Sequence, residues 1–170
     1  AYSAHPEGYF VLLSGADYPI RSNEGIRSIL SSGAEFINIQ RVPYPRKPLS
    51  RFLYFHFEYN RKRKNLVWFF YRSLEEIIRI LRLKRSIPFP VYAGSQWFAL
   101  SADCVRYILE TPTRDTSYER FFKYSKIPDE SYFQTIIGNS GFSDRVKDSM
   151  TVCFWAEKYS PLVIGPEEMD

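Results

Sequence analysis

Two adjacent carboxylates, Asp129 and Glu130, follow Pro128 at the start of an amphipathic stretch of the chain. A carboxylate placed within hydrogen-bond reach of a hydroxyl group can accept its proton as a general base. The same residues are also typical of a helix start, because proline suits the first helical position and each acid in the first turn gains about 0.3–1 kcal/mol from the helix dipole. The motif alone therefore leaves a structural and a catalytic interpretation of these acids open.

Three further residues have side chains suited to binding. Asp17 and Trp97 are expected in loops beside predicted strands, where α/β folds gather their binding residues. Trp155 lies at the end of a short strand-like run, where its ring could contact a sugar or simply pack in the core. The aromatic content of 18% suits either a bulky core or a cleft that stacks sugars or bases.

Several common chemistries find no support in the sequence. It contains neither the glycine-rich signatures of dinucleotide-binding and P-loop proteins nor the GxSxG signature of hydrolases. The two cysteines, Cys104 and Cys153, show no zinc-ligand spacing with the two histidines, and we expect both thiols to be buried. No two aspartates stand two positions apart, as they do where a sugar-nucleotide enzyme holds a divalent ion and a diphosphate. A transferase would therefore work without a metal, or would use parts of the protein outside this chain.

Predicted strands alternate with predicted helices, so the fold class is α/β, and 170 residues suit a single domain, 1–170. The first strand, 9–13, is an apolar run typical of a buried parallel strand. The helix at 73–85 has a Ser73–Glu76 capping box. Its apolar face (Leu74, Ile77, Ile78, Leu81) is expected to pack on the sheet, with a peripheral membrane contact as the alternative. The other predictions are a helix at 24–31, a strand at 35–42, two strands joined by a tight turn at 89–101, a helix at 102–110 ended by Pro112, a helix at 126–138 and a strand at 150–155.

The net charge of +4 favours anionic partners. Much of the excess lies at 41–64, where arginines and lysines alternate with tyrosines and phenylalanines. Prolines between 43 and 48 exclude regular structure there and predict a long loop. Interleaved cations and aromatics are typical of proteins that bind single-stranded nucleic acid. A non-catalytic module that binds nucleic acid or an anionic glycan is therefore the alternative to an enzyme.

Three segments in the same order and at similar spacing resemble motifs of one enzyme family. They are YFVLLSGADYPIRSNEGI at 9–26, AGSQWFALSADCVRYIL at 93–109 and IPDESYFQTIIGNS at 127–140. The family is that of the core-2/I-branching enzymes, which are inverting β-1,6-N-acetylglucosaminyltransferases, and it also contains the peptide O-xylosyltransferases. The resemblance extends over most of the chain from residue 9 onward.

The resemblance implies a GT-A-like fold with a mixed sheet flanked by helices, a UDP-sugar donor and inversion without a metal ion or other cofactor. The family's catalytic base falls on Glu130. Trp155 matches an aromatic residue that contacts the acceptor sugar, whereas a second such aromatic falls on Glu157, where this sequence departs from the family. We predict that Glu130 is the base and that the substrate-binding residues are Trp155, Trp97, Asp17 and Asp129.

The family also has a nucleotide-binding strand that precedes the first of these motifs and a basic, diphosphate-binding segment that follows the last. By this comparison, the chain is expected to be the central and acceptor-side part of a catalytic domain, with an incomplete sheet. We predict transfer of N-acetylglucosamine or xylose from its UDP-sugar to a hydroxyl of a glycan or protein, with no nucleic-acid partner. The scarcity of cysteine favours a bacterial member, cytoplasmic or membrane-associated, over one in the Golgi lumen.

Overall fold

The chain forms a four-stranded mixed sheet with helices on both faces. The structure, a computed structural model, describes residues 7–15, 17–45, 47–57, 63, 65–153, 155–157 and 160–161, the last two segments by their backbone alone. In chain order the elements are β1 (Tyr9–Val11), α1 (Asn23–Leu30), β2 (Glu35–Ile37), β3 (Gln40–Arg41), α2 (Ser50–Leu53), α3 (Leu66–Ile80), β4 (Tyr92–Ala93), β5 (Phe98–Ser101), α4 (Ala102–Arg114), α5 (Ser117–Phe122), a 3₁₀ turn (Pro128–Glu130), α6 (Tyr132–Gly138), a second 3₁₀ turn (Gly141–Arg145), β6 (Val146–Lys147), β7 (Trp155–Glu157) and β8 (Ser160–Pro161).

The main sheet has the strand order β1-β5-β2-β6. β5 runs antiparallel to both of its neighbours. Its Ala99 lies opposite Val11 of β1, and its Phe98 lies opposite Ile37 of β2. β2 pairs in parallel with β6. The carboxyl ends of β1 and β2 therefore lie beside the turn that precedes β5, at one end of the sheet. The predicted α/β class, with a mixed sheet flanked by helices, is confirmed.

Apolar packing holds the helices against this sheet. Ile37 and Leu100 pack with Cys104 and Ile108 of α4 and with two isoleucines of α6. The opposite face, at Phe36 and Ala99, is covered by Ile29 and Leu30 of α1. A third cluster, centred on Phe52, lies beside the small sheet of β3 and β4. Cys104 is fully buried as expected, but Cys153 is exposed, so that half of the cysteine prediction is wrong.

The strand predictions need three corrections. β1 is antiparallel rather than parallel, and Val11 in it is 47% exposed. The strand predicted at 35–42 divides into β2 and β3, which belong to different sheets. The predicted strand at 150–155 is wrong over 150–153, and β7 starts at Trp155. Side-chain oxygens take up the backbone amides that a strand partner would otherwise bind. The amide of Ser149 donates to Asn38 Oδ1 (2.8 Å), and the amide of Thr151 donates to Ser149 Oγ (3.2 Å).

The ends of α3 and α4 also differ from the predictions, and α3 stops at Ile80 rather than at residue 85. α3 begins seven residues early, because Asn65 caps it by accepting a hydrogen bond from the amide of Trp68 (3.0 Å), so Ser73 and Glu76 form no capping box. Pro112 lies inside α4 instead of ending it. Pro112 removes only one backbone N–H from the helix. The hydrogen bonding therefore continues beyond it, and the amide of Asp115 donates to Thr111 O (2.8 Å).

The predicted inward face of α3 is wrong in part, although Leu74 and Ile78 of that face are half-buried. Ile77 and Leu81, expected on the sheet, are 51% and 61% exposed, whereas Glu75 is the buried residue of the helix. Glu75 Oε1 accepts a hydrogen bond from the amide of Phe57 (3.0 Å) and Oε2 lies 3.9 Å from Arg72 Nη1, so both oxygens have partners and this face is held inward. Among the helices that the structure describes, none is long and apolar enough to cross a bilayer.

Candidate active site

Glu130 is the last residue of a single 3₁₀ turn rather than part of a longer helix. The helix predicted at 126–138 is broken at Ser131, whose φ of −151° separates the turn from α6. Ile127, just before the turn, adopts a left-handed conformation with φ 53°. A β-branched residue is strained in this region, at a cost of about 1–2 kcal/mol, so the surrounding contacts must hold the turn in place.

The carboxylate of Glu130 pairs with two cations. Its Oε2 accepts hydrogen bonds from Lys47 Nζ and from Arg51 Nη2, the latter at 3.1 Å. The side chains of Lys47 and Arg51 are 12% and 13% exposed, against 33% for Glu130. Within the described part of the chain, no hydrogen bond reaches Glu130 Oε1. One oxygen is thus held by cations, while the other remains available at a partly open surface.

Partial burial raises the pKa of Glu130, but the hydrogen bonds and positive charges of Lys47 and Arg51 outweigh this effect and leave the pKa below its ordinary value. Glu130 is therefore ionised at neutral pH, as a general base must be. A helix amino terminus is not the source of this charge. The two cations account for it instead, because the glutamate precedes the break at Ser131 and α6 is seven residues long.

Lys47 and Arg51 both belong to the proline-containing segment that follows β3. Lys47 closes a turn with Tyr44, because the amide of Lys47 donates a hydrogen bond to the carbonyl oxygen of Tyr44 (2.9 Å). The Tyr44 hydroxyl donates to Ala93 O (3.2 Å), which ties this turn to β4. Arg51 lies on α2, and its neighbour Phe52 is 1% exposed within the third apolar cluster. The loop is thus anchored on both sides of its cations.

The turn between β4 and β5 supports the backbone of Glu130. The amide of Gly94 donates to Glu130 O at 2.9 Å. A Cβ atom at Gly94 would lie 1.6 Å from Asn38 O, so only glycine allows this close approach of two backbones. Gln134 of α6 adds a bond from its Nε2 to Ser95 O (2.7 Å). The AGSQW and PDE motifs, distant in sequence, therefore form one unit.

Of the other predicted substrate-binding residues, Trp97 and Asp17 lie at the same end of the sheet as this unit. Trp97 is half-buried on the same turn, three residues after Gly94, and its carbonyl accepts from Ser149 Oγ (3.4 Å). Asp17 follows β1 at the same end of the sheet, where its carboxylate accepts from the amide of Ser14 and closes the SGAD turn. Asp129 is exposed beside Glu130. The backbone of Trp155 opens β7, and its side chain lies outside the described residues.

Sequence reasoning missed Lys47 and Arg51. Both were counted as part of a basic segment that favours an anionic partner, and their pairing with a carboxylate 83 and 79 residues away has no local signal. A search for ligands that could hold a metal ion finds no group of three or more His, Cys, Asp or Glu side chains in the described ranges.

Comparisons with known proteins show which family the chain resembles in sequence. The model of the family described as Core-2/I-Branching enzyme matches residues 3–170. Xylosyltransferase 1 from Rattus norvegicus and from Homo sapiens is 30% identical over 158 residues, which is 90% of this chain but 18% and 15% of those proteins. Xylosyltransferase 2 from Rattus norvegicus is 27% identical over 152 residues, 88% of this chain and 16% of that protein. The chain thus spans less than a fifth of the length of these relatives.

Proposed function

The chain belongs to the core-2/I-branching enzyme family, and on this premise we propose that it forms the acceptor-side part of an inverting glycosyltransferase. The observation that carries the proposal is the carboxylate of Glu130, held through one oxygen by Lys47 and Arg51 and open at the other. It lies next to the turn before β5, at the end of the sheet where β1 and β2 end. Ligands of α/β folds commonly bind at the carboxyl ends of strands.

In the proposed reaction, the acceptor hydroxyl oxygen attacks the anomeric carbon of the donor sugar. The bond from that carbon to the phosphate oxygen of UDP breaks, and its electron pair leaves with UDP. The hydroxyl proton passes to Glu130 Oε1. A single displacement of this kind inverts the anomeric centre and requires one carboxylate.

Lys47 and Arg51 have two effects on this base. They fix the carboxylate in one orientation, which places the proton acceptor in advance of the reaction. They also keep it ionised, at the expense of some basicity. Partial burial opposes that loss, so the balance of the two effects sets how readily Glu130 takes the proton.

We propose UDP-xylose or UDP-N-acetylglucosamine as the donor and a hydroxyl of a glycan or protein as the acceptor. The names of the xylosyltransferase relatives support the first donor, and the resemblance to core-2/I-branching motifs supports the second. Because the sequence has no pair of aspartates two positions apart, we propose that the donor diphosphate is bound without a divalent ion. Turnover that is unchanged by EDTA supports this part, and turnover restored only by Mg²⁺ or Mn²⁺ contradicts it.

A nucleic-acid-binding function is less well supported. Of the basic segment at 41–64, Lys47 and Arg51 are mostly buried against Glu130 and do not face an open surface. An affinity for single-stranded DNA that falls steeply with salt would favour this alternative.

The test is the variant Glu130→Gln in the full-length protein, assayed for UDP release with both UDP-sugars. Loss of a general base should lower turnover at least about 100-fold, while UDP-sugar binding measured by calorimetry stays within about twofold. The melting temperature should fall by a few degrees, because Lys47 and Arg51 lose their counterion.

Glu119→Gln provides the control, since Glu119 is an exposed carboxylate on α5. Its turnover should match the wild type. Undiminished turnover in Glu130→Gln would remove Glu130 from the chemistry and with it the proposed mechanism.

A further inference from the structure

The outward face of α3 is apolar. Leu66, Phe70, Ile77 and Ile80 are 87%, 64%, 51% and 76% exposed. Their spacing of four, seven and three residues places them along one stripe of the helix. A surface helix of a globular protein usually turns such a stripe inward, and a contiguous exposed apolar surface marks an interaction site.

The inward face of α3 is occupied by other side chains. Glu75 is buried and bonded to the amide of Phe57, and Tyr71 stacks on the Phe57 ring with centroids 5.3 Å apart. These contacts fix the rotation of the helix about its axis. The apolar stripe therefore points outward because the opposite face is already bonded, and rotating it inward would strip the Glu75 carboxylate of its donor.

Arginine side chains line one flank of the stripe. Arg72 and Arg79 lie one turn on either side of Glu76 and contact it at 2.7 Å and 3.1 Å, and Arg72 also lies 3.9 Å from the buried Glu75, so the charges of these four residues balance. Arg82 and Lys84 are exposed just after the helix. Arg63 is exposed just before the helix. The two ends of the stripe thus carry exposed positive charge.

We propose that this face of α3 lies in the plane of an anionic lipid bilayer. With 15 residues, the helix is about 22 Å long, which is short of the roughly 30 Å hydrocarbon core. Its apolar stripe would enter the boundary between headgroups and acyl chains, as interfacial amphipathic helices do. The exposed cations at the two ends of the helix, Arg63, Arg82 and Lys84, would extend their charged ends to the anionic headgroups, each contributing to binding that salt weakens.

Vesicle sedimentation with the full-length protein tests the proposal. We would compare vesicles of phosphatidylcholine alone with vesicles of phosphatidylcholine and phosphatidylglycerol, at low and high salt. The double variant Phe70→Ser/Ile77→Ser should lose at least about tenfold in affinity for the anionic vesicles. Both side chains are exposed, so the melting temperature should not fall. The matched control is Leu109→Ser, which removes a 57% exposed apolar residue from α4 and should bind like the wild type.

Three results would overturn the proposal. The first is a wild-type protein that fails to sediment with anionic vesicles, or that binds neutral and anionic vesicles equally. The second is vesicle binding that the double variant retains in full. The third is a wild-type dimer in light scattering that the double variant converts to a monomer without any vesicle binding, which would assign the stripe to a second copy of the chain.

Discussion

The backbone amide of Gly94 lies 2.9 Å from the carbonyl oxygen of Glu130, and this hydrogen bond joins two motifs that are 36 residues apart in the chain. The same glycine is in contact with the backbone at Asn38, immediately after β2. Glu130 is thereby fixed relative to the main sheet through the turn before β5. Lys47 and Arg51 hold the other end of the residue, its carboxylate. Backbone and side chain are positioned by separate parts of the chain.

Gly94→Ala should destabilise the protein and the site together. The added Cβ would lie 1.6 Å from Asn38 O, a contact that only movement of the backbone can relieve. We expect a loss of about 1–3 kcal/mol in the free energy of unfolding, measured by urea denaturation. The control is Gly141→Ala, because a Cβ there would meet no atom within 4 Å. Equal stabilities of the two variants would contradict the close approach at Gly94.

The motif order in the sequence predicted correctly that the GSQW turn and the PDE turn belong to one mixed α/β fold. It did not reveal the cations at Glu130, because Lys47 lies in a loop and Arg51 on the four-residue helix α2, and both meet the carboxylate only through tertiary packing. Periodicity in α3 likewise predicts an amphipathic helix but not which face turns inward. That choice depends on the bond between Glu75 and the amide of Phe57, a contact between separate segments.

Arg51→Gln should change the pH dependence of turnover. Arg51 contributes to the lowered pKa of Glu130, so its loss raises that pKa. The acid limb of the profile of kcat/KM against pH should then move to higher pH. At neutral pH we expect a loss of about 10- to 100-fold, because the carboxylate is less firmly oriented. Lys147→Gln removes an exposed cation from β6 and should leave the profile in place. An unshifted acid limb in Arg51→Gln would mean that Glu130 is not the titrating group.

Folding stability should depend on the ionisation of Glu130. Its pKa is lower in the folded protein than its ordinary value of 4.5, so the unfolded chain binds the proton first as pH falls. The stabilisation is complete above about pH 4.5 and disappears as pH drops through the folded pKa. Melting temperatures of wild type and Glu130→Gln should therefore differ at pH 7 and converge as pH falls through the folded pKa of Glu130. A difference that stays constant over this range would show that the ion pairs with Lys47 and Arg51 contribute nothing to stability.

Glu35→Ala should be the most destabilising carboxylate substitution of these. Glu35 is fully buried, and its two oxygens accept from the amide (2.8 Å) and hydroxyl (2.6 Å) of Ser101 and from Arg145 Nη2 (3.3 Å). Removing it leaves buried donors unpaired at the junction of β5 and α4, at a cost of about 3 kcal/mol. For a chain of this size the melting temperature should fall by roughly 6–12 °C.

Two further variants locate the source of that loss. Arg145→Ala should cost much less, about 1 kcal/mol or under, because the Arg145 side chain is 48% exposed and water replaces part of its bond. Glu119→Ala, at an exposed position on α5, should change stability by about 0.5 kcal/mol at most. If Arg145→Ala matched Glu35→Ala, the ion pair would be the main contribution. The expected order instead assigns most of the stabilisation to the two bonds that Ser101 donates to the fully buried Glu35, which hold the residue that caps α4 at the end of β5.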